Sequence, residues 1–450
     1  MVERDRVSVR RIVRGGLIAV LASWTLVLVL HEIPIGGVWL PIEASTSTLL
    51  ICWPLVFAFA YLTAPARNIL VQDAIQNAGA HNALSKTVAI TAAIGALGAL
   101  LVIFEFAYLR GYGFSASAAQ IRMEEVSNNM KGLNVASPIS GIGRLMIPAI
   151  LPALIVAAAN FGKLNGAARV ILLVCLLILL FEQVAFDGGR TFLAASFLTT
   201  VVAFLIGRDR SDFNVRKTVS RPPYLRFAVT GAALMYFFLS VFISRVYDGG
   251  GFLWSHYRTF SQDFRIFVGT DVIARFDGFF GPFWYAVSML WLYITQGINE
   301  LDTLLISQDI PRSLGLYQFP QISPILQIVF GTEVTYDFIR ILPNAGTYLT
   351  IYGANFLDFG HIGAFMSAAL LGYLTARSIG FFASLRLNGL AICGPMLLTI
   401  ALFSPVISIL GTLAPAFFWA FGFAVIMKAQ TPIMPSEPSA ARTGRRAQSL

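Results

Sequence analysis

Charge is what this chain has least of. Asp, Glu, Lys and Arg make up 12% of its residues, about half the share of an ordinary soluble domain. A water-soluble enzyme is excluded on that ground. Cysteine is scarcer still. Cys52, Cys175 and Cys393 all fall inside apolar runs and show no metal-ligand spacing, so they read as small buried hydrophobes. Signature loops are missing too. There is no Gly-x-x-x-x-Gly-Lys-Ser/Thr loop, which excludes an ATP-driven pump of that class, and no His-Glu-x-x-His, which excludes a zincin. No Asp-x-Asp pair or nucleotide-sugar domain is present. Any chemistry therefore uses a substrate activated elsewhere. No internal repeat is evident, which counts against an inverted-repeat transporter.

What is there is apolar. Hydrophobic residues make up 57% of the chain and the mean hydropathy is +0.73. Long apolar runs recur from residue 15 to residue 428. They are continuous, as in Val170 to Phe181, whereas barrel strands alternate in short segments. The chain reads as an all-α polytopic membrane protein with about ten transmembrane helices. Spans are expected near 15–31, 47–63, 87–108, 145–161, 170–186, 191–207, 226–245, 360–376, 389–407 and 412–428. Arg10, Arg11 and Arg14 precede the first apolar stretch as in a signal sequence. No small-residue cleavage site follows, so it reads as an uncleaved first span.

The net charge of +9 is an orientation signal rather than a nucleic-acid footprint. With the N-terminus in the cytoplasm, the inside segments carry roughly twice the Lys and Arg of the outside ones. Both termini are then cytoplasmic. The division follows: a transmembrane bundle over 1–245, a large late outside loop over 246–359, spans over 360–428, and a Pro- and Arg-bearing disordered tail over 429–450. Within the loop, 279–294 reads as an interfacial helix. In Leu253 to Phe267, Tyr257, Phe260, Phe264 and Phe267 recur at helical spacing, with Arg258, Ser261, Gln262 and Arg265 on another face. That is an amphipathic helix on the outer membrane surface. Its arginines either touch headgroups or dock an anionic lipid substrate.

Polar groups gather on the outside face. Arg190 stands in the turn Asp187-Gly188-Gly189-Arg190-Thr191 at the edge of the hydrocarbon, with Glu182 and Gln183 just below. It pairs with Asp187, snorkels, or binds a phosphate or diphosphate. Arg340 follows Asp337 and has the same choice. Asn344 to Leu374 begins polar and aromatic and ends as an apolar span. It reads as a re-entrant or loop segment leading into a membrane helix. Asp358 and His361 lie at the junction; in one first helical turn they would share a face. Either could take a proton from a sugar hydroxyl, and Asp358 equally suits an N-cap. His31 and Glu32 form another polar pair, without an assigned role.

Pro343-Asn344-x-x-Thr347, then Asp358-Phe359-Gly360-x-x-Gly363, an apolar span and Leu371-Gly372 resemble the closing signature of Wzy-type oligosaccharide repeat-unit polymerases of the bacterial inner membrane. Gly189-Arg190-Thr191 resembles the arginine turn of the same group and of the related O-antigen ligases. The resemblance implies a GT-C-like helical fold that works without a metal or cofactor, a periplasmic outside face and a glycan donor linked through diphosphate to a polyprenyl lipid. Arg190 and Arg340 are then expected to stabilise the departing diphosphate, with Asp358 or His361 as base. Arg258 and Arg265 would hold the second lipid or the glycan. Trp254, Tyr257, Tyr348 and Tyr352 would offer exposed faces for sugar rings, and Asn344 and Thr347 belong to the same substrate surface. Expected partners are that lipid-linked glycan and membrane lipid, with a chain-length regulator and a flippase alongside, and no nucleic acid. A glycan ligase acting on another acceptor, and a flippase or transporter without chemistry, are the competing readings.

Overall fold

The computed structural model describes residues 2–64, 78–113, 138–187, 190–211, 252–264, 266–307, 312–319, 349–384 and 387–430. The expected span at 226–245 and the tail lie outside them. Among the described residues the architecture is almost wholly helical. In chain order the elements are α1 (Val2–Glu32), β1 (Val38–Trp39), α2 (Ala44–Thr63), α3 (Ala78–Phe104), α4 (Pro138–Met146), α5 (Ile150–Asn160), α6 (Gly166–Glu182) and α7 (Arg190–Ser211). Then come α8 (Leu253–Asp263), β2 (Ile266–Phe267), α9 (Thr270–Phe276), α10 (Gly281–Ile306), α11 (Ile351–Ala383), α12 (Gly389–Phe403) and α13 (Leu410–Gln430). Seven helical stretches among the described residues are long and apolar enough to cross a membrane, and α12 is a shorter apolar one. Apolar sequence favours helices there because hydrocarbon offers no partner to a backbone N–H or C=O, so each must be satisfied within its own segment.

Sequence sets the helix starts. Asn165 Oδ1 accepts the Ala168 N–H at 2.8 Å and opens α6. Asn388 does the same for Ala391 at α12, and Thr350 for Gly353 at α11. The spans pack side by side. α11 lies between α2 and α12, α3 packs on α4, α5 and α6, and α7 packs on α5 and α12. Gly372, of the Leu371-Gly372 motif, sits where α11 meets α2; a Cβ there would come to 2.3 Å from the Phe57 carbonyl. Small residues at such crossings let two backbones approach.

A second, smaller core forms a cap over one end of the bundle. It gathers Trp39, Tyr257, Phe264, Phe276, Tyr285, Trp291 and Leu292. β1 and β2 pair antiparallel, Val38 with Phe267 and Trp39 with Ile266. α10 runs from Gly281 to Ile306, much longer than the 279–294 expected. It lies across the helix ends. Trp291 Nε1 donates to the Leu30 carbonyl at 2.7 Å, while Asn299, two turns further on, reaches His31 next door at 2.9 Å. Asp302 then accepts from Thr46 Oγ1 at 2.6 Å and the Glu43 N–H at 3.0 Å at the start of α2. Contacts so far apart on α10 and so close together on α1 require the two helices to cross.

The cap corrects the reading of 253–267. The helix stops at Asp263 and Phe267 belongs to a strand. Tyr257 and Phe264 are buried in the cap's own core, and Ser261 is buried too. The Tyr257 hydroxyl donates to the Gly36 carbonyl at 2.9 Å. Burial, and then Tyr285 beside it, push that hydroxyl above its ordinary pKa, so it remains a donor.

Candidate functional site

Gly360 organises the site. Its φ of 71° and ψ of −172° lie in a region that essentially only glycine occupies. α11 is therefore two helices joined at a break. Every residue from Ile351 to Asp358 is buried. The Ile351 N–H bonds the Ser404 carbonyl at 2.9 Å, and Ser404 Oγ also accepts Trp24 Nε1 at 2.8 Å. Trp24 lies about two helical turns below His31, so the short helix begins inside the bundle. Past the break, Phe359, Ile362, Met366 and Leu370 are exposed. The turn is sharp enough that the Tyr352 and Phe365 rings lie 5.6 Å apart, and those of Phe356 and His361 4.6 Å.

Breaking a helix leaves carbonyls without partners. Residues 312–314 supply them in sequence. Arg312 Nη1 donates to the Phe356 carbonyl at 2.8 Å. The Ser313 N–H donates to Leu357 at 3.0 Å and the Leu314 N–H to Asp358 at 3.1 Å. The Asp358 carboxylate completes the clamp: it accepts the Ser313 hydroxyl, the Tyr317 N–H at 3.0 Å and the Gln318 N–H at 3.3 Å. Gln318 in turn donates to Asn355 Oδ1 at 2.7 Å and accepts from Ser408 at 2.8 Å.

Two consequences follow for the expected site. Asp358 is fully buried with both carboxylate oxygens engaged, while His361 is exposed. The break between them means that they do not share a face, and Thr350, not Asp358, is the N-cap of α11. His361 Nδ1 meets the Tyr352 hydroxyl at 2.5 Å. Tyr352 and Tyr257 are fully buried and Trp254 half-buried, so the two tyrosines offer no exposed face to a sugar.

Arg312 was not singled out in the sequence. Its guanidinium lies 4.2 Å over the Phe356 ring, donates to the carbonyl of the same residue and has no carboxylate partner among the described residues. A cation there suits the C-terminal end of the short helix. The Cβ position of Gly360 would stand 3.7 Å from Arg312 Nε. The only sequence signal is the arginine itself; no spacing links residue 312 to 358–361. A guanidinium without a counter-charge, beside an imidazole and exposed apolar side chains, is suited to receive an anion at a lipid–water boundary.

The other expected residues are described only in part. Arg190 opens α7, and its side chain lies outside the description. Arg265, Arg340, Asn344, Thr347 and Tyr348 lie outside the described residues. Arg258 is exposed on α8. Glu182 and Gln183 are buried, with Gln183 Nε2 donating to Glu182 Oε2 at 2.7 Å. α6 passes there into a π-helical turn, Gln183–Asp187, and α3 ends in another, Glu105–Leu109. The second brings Arg110 onto the buried Glu105 at 2.7 Å, five residues away rather than the usual four. His31 Nδ1 meets Glu32 at 3.0 Å and its ring stacks on Trp39 at 5.8 Å. A cavity of about 250 Å³ lined by Glu43, Phe264, Asn299, Glu300 and Asp302 sits at this cap–bundle seam.

No family model, curated protein or solved structure matches the chain.

Proposed function

We propose that this protein is a Wzy-type glycan polymerase of the bacterial inner membrane, GT-C-like, with about ten spans and its cap on the periplasmic side. The observation that carries this reading is Arg312, a guanidinium with no carboxylate partner among the described residues, held at the break in α11 beside His361. The break falls within Asp358-Phe359-Gly360-x-x-Gly363, the segment on which the family resemblance rests. The donor is a glycan on a polyprenyl diphosphate. A hydroxyl of the acceptor glycan attacks the anomeric carbon, its proton passes to His361, and the sugar–phosphate C–O bond breaks. The lipid diphosphate leaves with the bonding electrons. Negative charge then grows at the membrane rim, where Arg312, with Arg190 and Arg340, stabilises it. One preorganised donor of this kind is worth about 3–4 kcal/mol. Asp358 holds the 312–319 loop in place.

The test is purified full-length protein given synthetic lipid-diphosphate repeat units, with products sized by gel. Arg312→Ala is expected to slow chain extension by about a hundredfold or more and to leave single repeat units on lipid. Arg312→Lys keeps the charge but loses the planar fork, and recovers part of the rate. Long chains made at the normal rate by Arg312→Ala would remove this residue from the site.

A further inference from the structure

The cap carries apolar surface that its own core does not use, and this surface falls in two places. In the ribbon, Val38 and Phe267 are directly paired, so their side chains share one face. They are 55% and 72% exposed, while Trp39 and Ile266 on the other face are buried. At the corner between α9 and α10, Phe279 is 94% exposed and Phe280 and Phe283 are exposed as well. The Phe279 and Phe280 rings lie 5.1 Å apart, and those of Phe283 and Trp284 5.7 Å. A contiguous aromatic patch of this kind is rarely left to water.

Three observations point to what covers it. First, α1 presents a lipid-type strip at helical spacing, Ile18, Leu26 and Val29, continued by Ile33 just past its end, all exposed. Ile33 stands five residues before Val38, so the strip and the ribbon lie within about 18 Å of each other. Second, α10 crosses the end of α1 at Trp291. Gly281 is ten residues further back, so the phenylalanine corner projects sideways by about 15 Å. Third, the corner is edged by an interfacial side chain: Arg275 lies 5.5 Å over the Trp284 ring. Aromatic rings with arginine at their margin suit the headgroup boundary, where one end of the side chain is wet and the other is not.

We infer that the cap is seated in the bilayer, with the Val38–Phe267 face of the ribbon and the Phe279–Phe280–Phe283 corner inserted among lipid headgroups and upper acyl chains. The occupant of this surface is membrane lipid. The aromatic face of α8, expected to lie on the membrane, is instead spent inside the cap, and the ribbon and corner take over that contact. The inference is independent of the enzymatic reading.

Spin labels would test it on the full chain with Cys52, Cys175 and Cys393 replaced by alanine, reconstituted into phosphatidylethanolamine–phosphatidylglycerol vesicles. Phe267→Cys and Phe279→Cys carry the label, and Gln262→Cys on the exposed face of α8 is the aqueous reference. Labels at 267 and 279 are expected to relax more with oxygen than with a water-soluble nickel chelate, at a depth of about 5–10 Å. The label at 262 should show the reverse order. A nickel-dominated response at both 267 and 279 would overturn the inference. Protection from both agents would overturn it too, because a second protein would then cover the patch. A photo-crosslinking phenylalanine analogue at position 279 gives an independent readout. Adducts with lipid support the inference, and adducts with another copy of the chain refute it.

Discussion

At the scale of single residues, the sharpest distinction lies between Asp358 and His361. Three positions apart, they look interchangeable as proton acceptors, but the break separates their environments. The Asp358 carboxylate is buried and accepts from Ser313, Tyr317 and Gln318, which is the work of an anchor. His361 is exposed and bonded at one ring nitrogen. Asp358→Asn keeps an acceptor oxygen for the loop, so the polymerisation rate is expected to fall less than tenfold. His361→Ala removes the proposed general base and is expected to cost about 10²–10⁴-fold in rate. Both rates can be read from the lipid-diphosphate assay. If Asp358→Asn is the more damaging of the two, the roles are reversed. Arg312 matters for a related reason: its charge is held by one phenylalanine through both ring and carbonyl, and among the described residues no carboxylate competes for an anionic ligand.

At the scale of elements, the broken α11 explains how polar groups are held among apolar spans. A continuous helix would have satisfied its own carbonyls and left nothing for residues 312–314 to bond. The break depends on a backbone conformation at Gly360 that side chains do not tolerate. Gly360→Ala is expected to lower stability by about 1–3 kcal/mol, read as a lower midpoint in detergent unfolding, and to loosen the 312–319 loop in hydrogen exchange. An unchanged midpoint would mean that the break is not required. The π turns at the ends of α3 and α6 do related work. By adding a residue to the turn, the one after α3 brings Arg110 onto the buried Glu105 five positions earlier, whose other carboxylate oxygen accepts the Ser140 N–H at 2.6 Å.

At the scale of the whole molecule, the two cores divide the labour: one forms the membrane body and the other the cap. The spans alternate in direction. The Tyr61 hydroxyl at the end of α2 bonds the Val13 carbonyl near the start of α1, and the Asn165 N–H before α6 bonds Ser85 near the start of α3. Arg10, Arg11, Arg14, Lys163, Arg169, Arg208 and Lys428 thereby fall at the end opposite the cap. With positive charge retained in the cytoplasm, reporter fusions at either terminus are expected to read cytoplasmic, and a cysteine at position 262 to react with an impermeant reagent from the periplasm. The opposite labelling pattern would invert the topology and remove the proposed substrate from reach.

Composition alone determined the helical membrane character, because apolar runs of this length have one inexpensive way to satisfy their backbones in hydrocarbon. Motif spacing marked the neighbourhood of the site, since the glycine at 360 and the polar residues beside it break an apolar pattern. Tertiary structure decided the rest. Which side of a break a residue falls on is not a matter of spacing, so the separation of Asp358 from His361 was not legible. Arg312 meets Phe356 across 44 positions, a contact that no local pattern encodes. The aromatic face of α8 looked like a membrane surface because helical periodicity shows that a face is buried, not what buries it. Here that partner is a second core, assembled from residues as far apart as Trp39 and Leu292.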